Sequence, residues 1–160
     1  MTDRWPNQQR AFEGALELMS RGVKRLIVTS PTGSGKTTML TDMIKWAVEN
    51  SKPVALYTQR RMLYDQTCRV LHRENIRFGK RASGHKPNLF QHVQICMSQT
   101  ELSQVYKQEG RRLHAAALVL IDEVHQHCGP TFSRIVDDHV ASGANVIGYT
   151  ATPLDIKGYD

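Results

Sequence analysis

Ser30-Pro31-Thr32-Gly33-Ser34-Gly35-Lys36-Thr37 decides how the rest of the chain is read. A short apolar run, Leu26-Ile27-Val28, leads into it, and Met39, Leu40, Met43, Ile44 and Ala47 follow at helical spacing. Strand, glycine loop, helix is the context that a phosphate-binding loop requires. Its glycines let backbone N–H groups turn inward and approach an anion closely. The helix N-terminus adds the positive end of its dipole. In such a loop Lys36 would reach the β- and γ-phosphates of a nucleotide, and Thr37 would bind Mg²⁺ through its hydroxyl. Ser30 stands where the usual pattern opens with glycine. A glycine turn before an ordinary helix is the plainer alternative.

The 160 residues suggest one domain with a real core, and 40% hydrophobic and 22% charged content fits a globular protein. No apolar run approaches the roughly 18 residues of a membrane span, and Met1-Thr2-Asp3-Arg4-Trp5-Pro6 lacks the apolar stretch of a secretory signal. Three scattered cysteines, Cys68, Cys96 and Cys128, read as reduced cytosolic thiols. Net charge is +6 and unevenly spread. Residues 60–86 hold eight basic side chains against Asp65 and Glu74, for +6, while residues 122–160 hold six acidic and two basic, for −4. A basic segment beside an acidic one suggests a polyanion surface next to a metal–phosphate site. On charge alone a solvated basic helix face explains it equally well.

Working outward, Phe12, Ala15, Leu16 and Met19 predict a helix over 7–19, opened by Pro6. Strands are expected at 26–29, 54–58, 93–97, 117–121 and 146–149. Helices are expected at 37–50, 62–74, 100–113 and 131–141, and 78–88 reads as loop with at most one short strand. Strands alternating with helices imply βαβ units: an α/β fold with a mainly parallel sheet between helical layers. The tail after Pro153 carries no strong element.

The fourth expected strand runs into Asp122-Glu123-Val124-His125, about 85 residues beyond the loop. Ligands bind at the carboxyl edge of parallel strands, so an acidic pair there is placed for chemistry. Asp122 fits the acidic partner of a loop-bound Mg²⁺, and Glu123 fits a general base that takes a proton from attacking water. His125, His127 and Cys128 invite a zinc reading, but they lack the second ligand pair of a structural site. His125 reads better as a link between the carboxylates and the next strand end, Thr150-Ala151-Thr152-Pro153, whose hydroxyls could receive its hydrogen bond.

In this order the pieces resemble the first RecA-like domain of superfamily 2 helicases, over nearly the whole chain. Residues 30–37 look like motif I of that family, Asp122-Glu123-Val124-His125 like motif II of the DExH type, and Thr150-Ala151-Thr152-Pro153 like motif III. Pro6-Asn7-Gln8-Gln9-Arg10-Ala11 is similar to the adenine-reading opening, with Gln8 at the glutamine and Trp5 where arginine is common. Gln59-Arg60-Arg61-Met62-Leu63-Tyr64-Asp65-Gln66 looks like motif Ia. Ser83-Gly84-His85-Lys86-Pro87, Val93-Gln94-Ile95 and Gln99-Thr100 resemble the restriction-type branch, which includes bacterial and phage repair helicases of the RadD and UvsW kind.

The resemblance implies a P-loop NTPase with ATP and Mg²⁺ as cofactors. Pro31, Thr32, Gly33, Ser34, Gly35, Lys36, Thr37 and Thr38 would hold the phosphates, and Gln8 the adenine. Thr37 and Asp122 would hold Mg²⁺, with Lys36, Asp122, Glu123 and His125 catalytic. Arg60, Arg61 and Thr100 would contact a nucleic-acid backbone, DNA rather than RNA, and Thr150 and Thr152 would couple hydrolysis to movement. The family pairs two RecA-like domains, and the second supplies arginine fingers. Gln108-Glu109-Gly110-Arg111-Arg112 resembles that motif superficially, but its spacing and position are wrong and it reads as a helix end. The expectation is therefore residues 1–160 as the ATP-binding half of a cytoplasmic helicase or translocase, with a second domain needed for full hydrolysis. A small-molecule phosphotransferase and a stand-alone nucleotide-dependent binding module remain as alternatives.

Overall fold

Six short strands, rich in β-branched and other apolar residues, line up in one direction and fix where everything else sits. In the computed structural model, which describes residues 5–31, 33, 35–107, 111–152 and 159, the elements follow one another as helix, strand and crossover. They are α1 (Pro6–Ser20), β1 (Arg25–Thr29), α2 (Lys36–Glu49), β2 (Val54–Thr58), α3 (Arg61–Arg73), β3 (Gly79–Arg81), β4 (Val93–Met97), α4 (Ser98–Leu102), β5 (Leu118–Ile121), α5 (Pro130–Ala141) and β6 (Asn145–Thr150). The sheet order is β1-β6-β5-β2-β4-β3, and every pairing is parallel. All six carboxyl ends therefore share one edge.

Period-2 alternation splits the core in two. Leu26, Val54, Leu56, Ile95, Leu120 and Ile147 face α1, α2 and α3, where Leu40, Met43, Ile44 and Leu71 close the layer. Ala55, Tyr57, Val119, Ile121 and Val146 face the other way, onto Phe132, Ile135 and Val136 of α5. Strands buried on both faces need near-continuous apolar runs, and β2 and β5 are buried at every position. The result is three layers, helices–sheet–helices. Among the described residues no helix is long and apolar enough to cross a membrane.

Most expected elements lie within a residue or two of their places, and the exceptions have causes. The short strand admitted within 78–88 exists as β3, a three-residue edge strand on β4. The polar helix expected over 100–113 is not one helix. α4 starts earlier, at Ser98, and runs into a π-helical stretch, Ser103–Lys107. Residues 111–116 are irregular, and 108–110 lie outside the described residues. The buried Arg81 guanidinium donates to the Glu101 carboxylate at 2.6 Å and to the Arg112 carbonyl at 3.0 Å, and so ties both α4 and the irregular segment to β3. Arg112 is thus part of a non-helical return segment rather than the helix end the sequence suggested. The tail from Pro153 lies outside the described residues, apart from Tyr159.

Candidate nucleotide site

The phosphate-loop candidate joins the end of β1 to the start of α2. The Ser30 amide donates to the Thr150 carbonyl at 2.8 Å, so the loop begins as an extension of the β1–β6 pairing. Gly35 takes a left-handed conformation, φ 77°, and Lys36 opens the helix. The left-handed backbone favours glycine there, and a Cβ on Gly35 would lie 2.5 Å from Gln8 Nε2, so that side chain would have to shift. Thr32 and Ser34 lie outside the described residues. Gln8 is buried, and its Oε1 accepts from the Trp5 amide at 3.2 Å. It borders a cleft of about 300 Å³ with Trp5, Ala11, Ser30, Pro31 and Met39. Thr37 and Thr38 occupy the first turn of α2, where the Thr37 carbonyl accepts from Thr41 Oγ1 at 2.8 Å.

The carboxylates come from β5, two strands away. Lys36 Nζ lies 3.3 Å from Asp122 Oδ1 and is ion-paired with Glu123 Oε1. Thr58, ending the neighbouring β2, donates to Asp122 Oδ2 at 3.1 Å, and the Arg60 amide donates to Thr58 Oγ1 at 3.0 Å. Asp122 is buried, and that burial pushes its carboxyl above the usual range, partly offset by the Lys36 charge. Its Oδ1 is solvent-inaccessible and, among the described residues, makes no well-formed hydrogen bond; the Lys36 ammonium lies 3.3 Å from it. A buried carboxylate oxygen with coordination to spare suits a divalent cation. Among the described residues no cluster of three or more His, Cys, Asp or Glu could hold a metal alone. A Mg²⁺ would need Asp122, the Thr37 hydroxyl and oxygens from its nucleotide.

Glu123 adopts a left-handed backbone, φ 50°, and begins a 3-10 turn, Val124–His127, that the sequence did not foretell. Val124 packs so closely on β6 that a Cβ on Gly148 would sit 2.7 Å from it. His125 Nδ1 lies 3.0 Å from Thr150 Oγ1 and 3.4 Å from Glu123 Oε2. A carboxylate only accepts, so Nδ1 carries the proton in that contact. Thr150 Oγ1 also accepts from the Thr152 amide at 3.2 Å and reaches the Thr152 carbonyl at 3.3 Å. Thr152 thus enters through its backbone, and Pro153 lies outside the described residues.

The nucleic-acid candidates separate. Arg60 turns toward the carboxylates, 3.6 Å from Glu123 Oε1. Arg61 instead lies over the Tyr64 ring, pairs with Asp65 at 3.4 Å and donates to His85 Nε2 at 3.2 Å. Thr100 Oγ1 stands 3.4 Å from Ser83 Oγ, so the segment 83–85 joins Arg61 to Thr100 on one rim. Sequence reasoning missed Thr58, Ser98 and Gly148, and weighed His127 only as a zinc ligand. Only Thr58 left a signal, since it ends an apolar strand just as Asp122 follows one.

A parallel α/β sheet with a glycine loop on one strand and a carboxylate pair two strands away defines the RecA-like class of P-loop NTPases. The profile of the family described as type III restriction enzyme, res subunit, matches residues 3–155, and the chain belongs to that family. It is 28% identical over 171 residues to a putative mitochondrial ATP-dependent helicase, irc3, of Schizosaccharomyces pombe, covering 96% of this chain and 26% of that protein. It is 25% identical over 165 residues to the putative ATP-dependent helicase IRC3 of Saccharomyces cerevisiae, covering 91% and 23%. The chain spans about a quarter of the length of these curated relatives. The fold is shared with a Sulfolobus solfataricus SWI2/SNF2 ATPase core solved with dsDNA, at TM-score 0.68 and 15% identity, over 95% of this chain and 32% of that one. The chain is therefore a helicase-family ATP-binding domain.

Proposed function

We propose that this chain is the first RecA-like domain of a nucleic-acid-dependent ATPase, acting as a DNA helicase or translocase together with a second RecA-like domain. The observation that carries the reading is Lys36 in contact with both Asp122 and Glu123. That arrangement brings the loop cation and two carboxylates together at the sheet edge. The glycine loop and the α2 N-terminus hold the phosphates of ATP, and Gln8 with the cleft beside Trp5 takes the adenine. Thr37 and Asp122 hold Mg²⁺, which supplies neutralisation of charge on the phosphates when bound. Glu123 accepts the proton of the attacking water, and Lys36 exchanges a carboxylate for phosphate oxygen. His125 keeps Glu123 in register with Thr150.

Arg61, Thr100 and the basic window 60–86 hold the nucleic-acid backbone, and phosphate contacts of this kind carry little sequence preference. DNA is favoured by the resemblance to the restriction-type motifs. A missing arginine finger costs about 10³–10⁵ in phosphoryl-transfer rate, so the chain alone hydrolyses ATP slowly and does not unwind. We place the protein in the cytoplasm, in keeping with its three free cysteines. The test is ATP hydrolysis by the full-length protein with single-stranded DNA, duplex DNA or RNA. Stimulation by DNA is expected, with at least about a 10²-fold loss on Lys36→Ala or Glu123→Gln. Equal rates with and without nucleic acid, or activity surviving both substitutions, would overturn the reading.

A further inference from the structure

His127 is buried two residues beyond His125, and its contacts differ from those of its neighbour. Its Nδ1 lies 3.2 Å from the Glu123 carbonyl, its Nε2 lies 2.7 Å from Ser98 Oγ, and its ring packs on Phe132 at 4.3 Å. A carbonyl can only accept, so Nδ1 carries the proton. Nε2 is then bare and accepts from the Ser98 hydroxyl. The hydrogen bonds run one way, from Ser98 O–H to the imidazole and from the imidazole to the Glu123 carbonyl, with the Asp122 carbonyl as a weaker second acceptor. Burial holds the ring neutral, with its pKa at about 4.

Both ends of this link matter. Glu123 has a positive φ of 50°, a backbone that a glutamate keeps only when its surroundings hold it there. Ser98 is the first residue of α4, the helix that carries Thr100 to the rim. α4 is tied to β3 by the buried Arg81–Glu101 pair and to the segment 83–85 through Thr100. It continues into the π-helical residues Ser103–Lys107, a wide turn of a kind frequent at functional sites. The first hydroxyl of α4 is thus hydrogen-bonded, through one ring, to the peptide of the general-base candidate.

We propose that the Ser98–His127–Glu123 link transmits nucleic-acid binding at α4 to the Glu123 carboxylate, with His127 as a positioning residue. The proposal rests on the reading of the chain as a nucleic-acid-dependent ATPase. Nucleic acid that shifts α4 pulls on Ser98, and the imidazole passes the shift to the Glu123 carbonyl. Glu123 then sits where it accepts the water proton.

The test uses the full-length protein with saturating ATP, with and without single-stranded DNA. Ser98→Ala is expected to leave the DNA-free rate and the DNA dissociation constant within about twofold, while the stimulated rate falls about five- to tenfold. His127→Asn should behave the same way, because asparagine can still donate to the Glu123 carbonyl but cannot reach Ser98. Ser98→Thr keeps the hydroxyl and should recover most of the stimulation. Ring-nitrogen NMR of His127 should show Nδ1 protonated and Nε2 bare. Full stimulation of Ser98→Ala, an equal fall in both rates, or the opposite tautomer would overturn the proposal. A wild-type protein that DNA does not stimulate would overturn the ATPase reading itself, a different result from a stimulated wild type with a stimulated Ser98→Ala.

Discussion

Gly35 meets two demands, and each is measurable. Its left-handed φ of 77° costs an alanine roughly 1–2 kcal/mol. The added Cβ would also lie 2.5 Å from Gln8 Nε2 and displace that side chain, which lines the proposed adenine cleft. Gly35→Ala is therefore expected to lower the urea midpoint and to weaken ATP binding about tenfold, equivalent to roughly 1.4 kcal/mol, measured by titration with a fluorescent ATP analogue. A variant that binds like wild type would show that Gln8 is not part of the nucleotide cleft. At this scale the sequence was legible where chemistry requires a residue type at a fixed spacing. Lys36, Asp122 and Glu123 stood out in that way. Thr58 and Ser98 did not, because a hydroxyl at a strand end or helix start is common and only tertiary contact shows which ones matter. Arg60 was read as a nucleic-acid contact from its likeness to motif Ia, but where its guanidinium points depends on Glu123, a residue 63 positions away.

The elements that hold Glu123 are β6 and the 3-10 turn, and their contact leaves no spare space. Gly148→Ala would place a methyl 2.7 Å from Val124 Cβ, in a buried strand that cannot retreat. Overpacking of this kind typically costs about 1–3 kcal/mol, and here it also displaces the turn between Glu123 and His125. The expected result is a drop in stability together with loss of DNA-stimulated hydrolysis. Val124→Gly on the same chain, which removes the Cβ and both methyls that the new group meets, should restore the hydrolysis at least in part, as ATPase rates would show. No rescue would mean that the crowding lies elsewhere. Legibility at this scale followed periodicity. Two-sided apolar runs gave the strands, and helical spacing gave α1, α2, α3 and α5. The break in the helix expected over 100–113 was hidden, because the segment around Arg112 is held by tertiary contact with a buried arginine from another strand. Gly148 sat unremarked inside an apolar strand, since close approach has no local signature.

For the molecule as a whole, buried histidines set how stability responds to acid. His127 and His139 are both buried, and desolvation lowers each from 6.5 to about 4. His139 Nε2 is held 2.8 Å from the Tyr57 hydroxyl. The unfolded chain protonates these rings near pH 6.5, whereas the folded chain resists until about pH 4. Their contribution is therefore complete above about pH 6.5 and is lost as pH falls toward 4, by up to about 3 kcal/mol per ring. Asp122 and Glu101 act in the opposite sense, because burial raises both carboxyls and favours the folded state as they protonate. Urea unfolding between pH 7 and pH 4 should show a net fall, and His139→Gln should make it shallower. An unchanged slope would place the loss in other groups. The layered α/β architecture itself was fully legible, because a parallel sheet buried on both faces imposes its pattern on every strand.

The three thiols also offer a practical handle. Cys68 and Cys96 are buried in the two core layers, whereas Cys128 is exposed at the end of the turn that carries Glu123, His125 and His127. Its Sγ lies 3.3 Å from the Val124 carbonyl, and partial burial raises its pKa, so it reacts slowly but in the open. A thiol-directed fluorophore or spin label would attach there without any engineered cysteine. The native sequence thus carries its own reporter, five residues from Glu123 and one from His127.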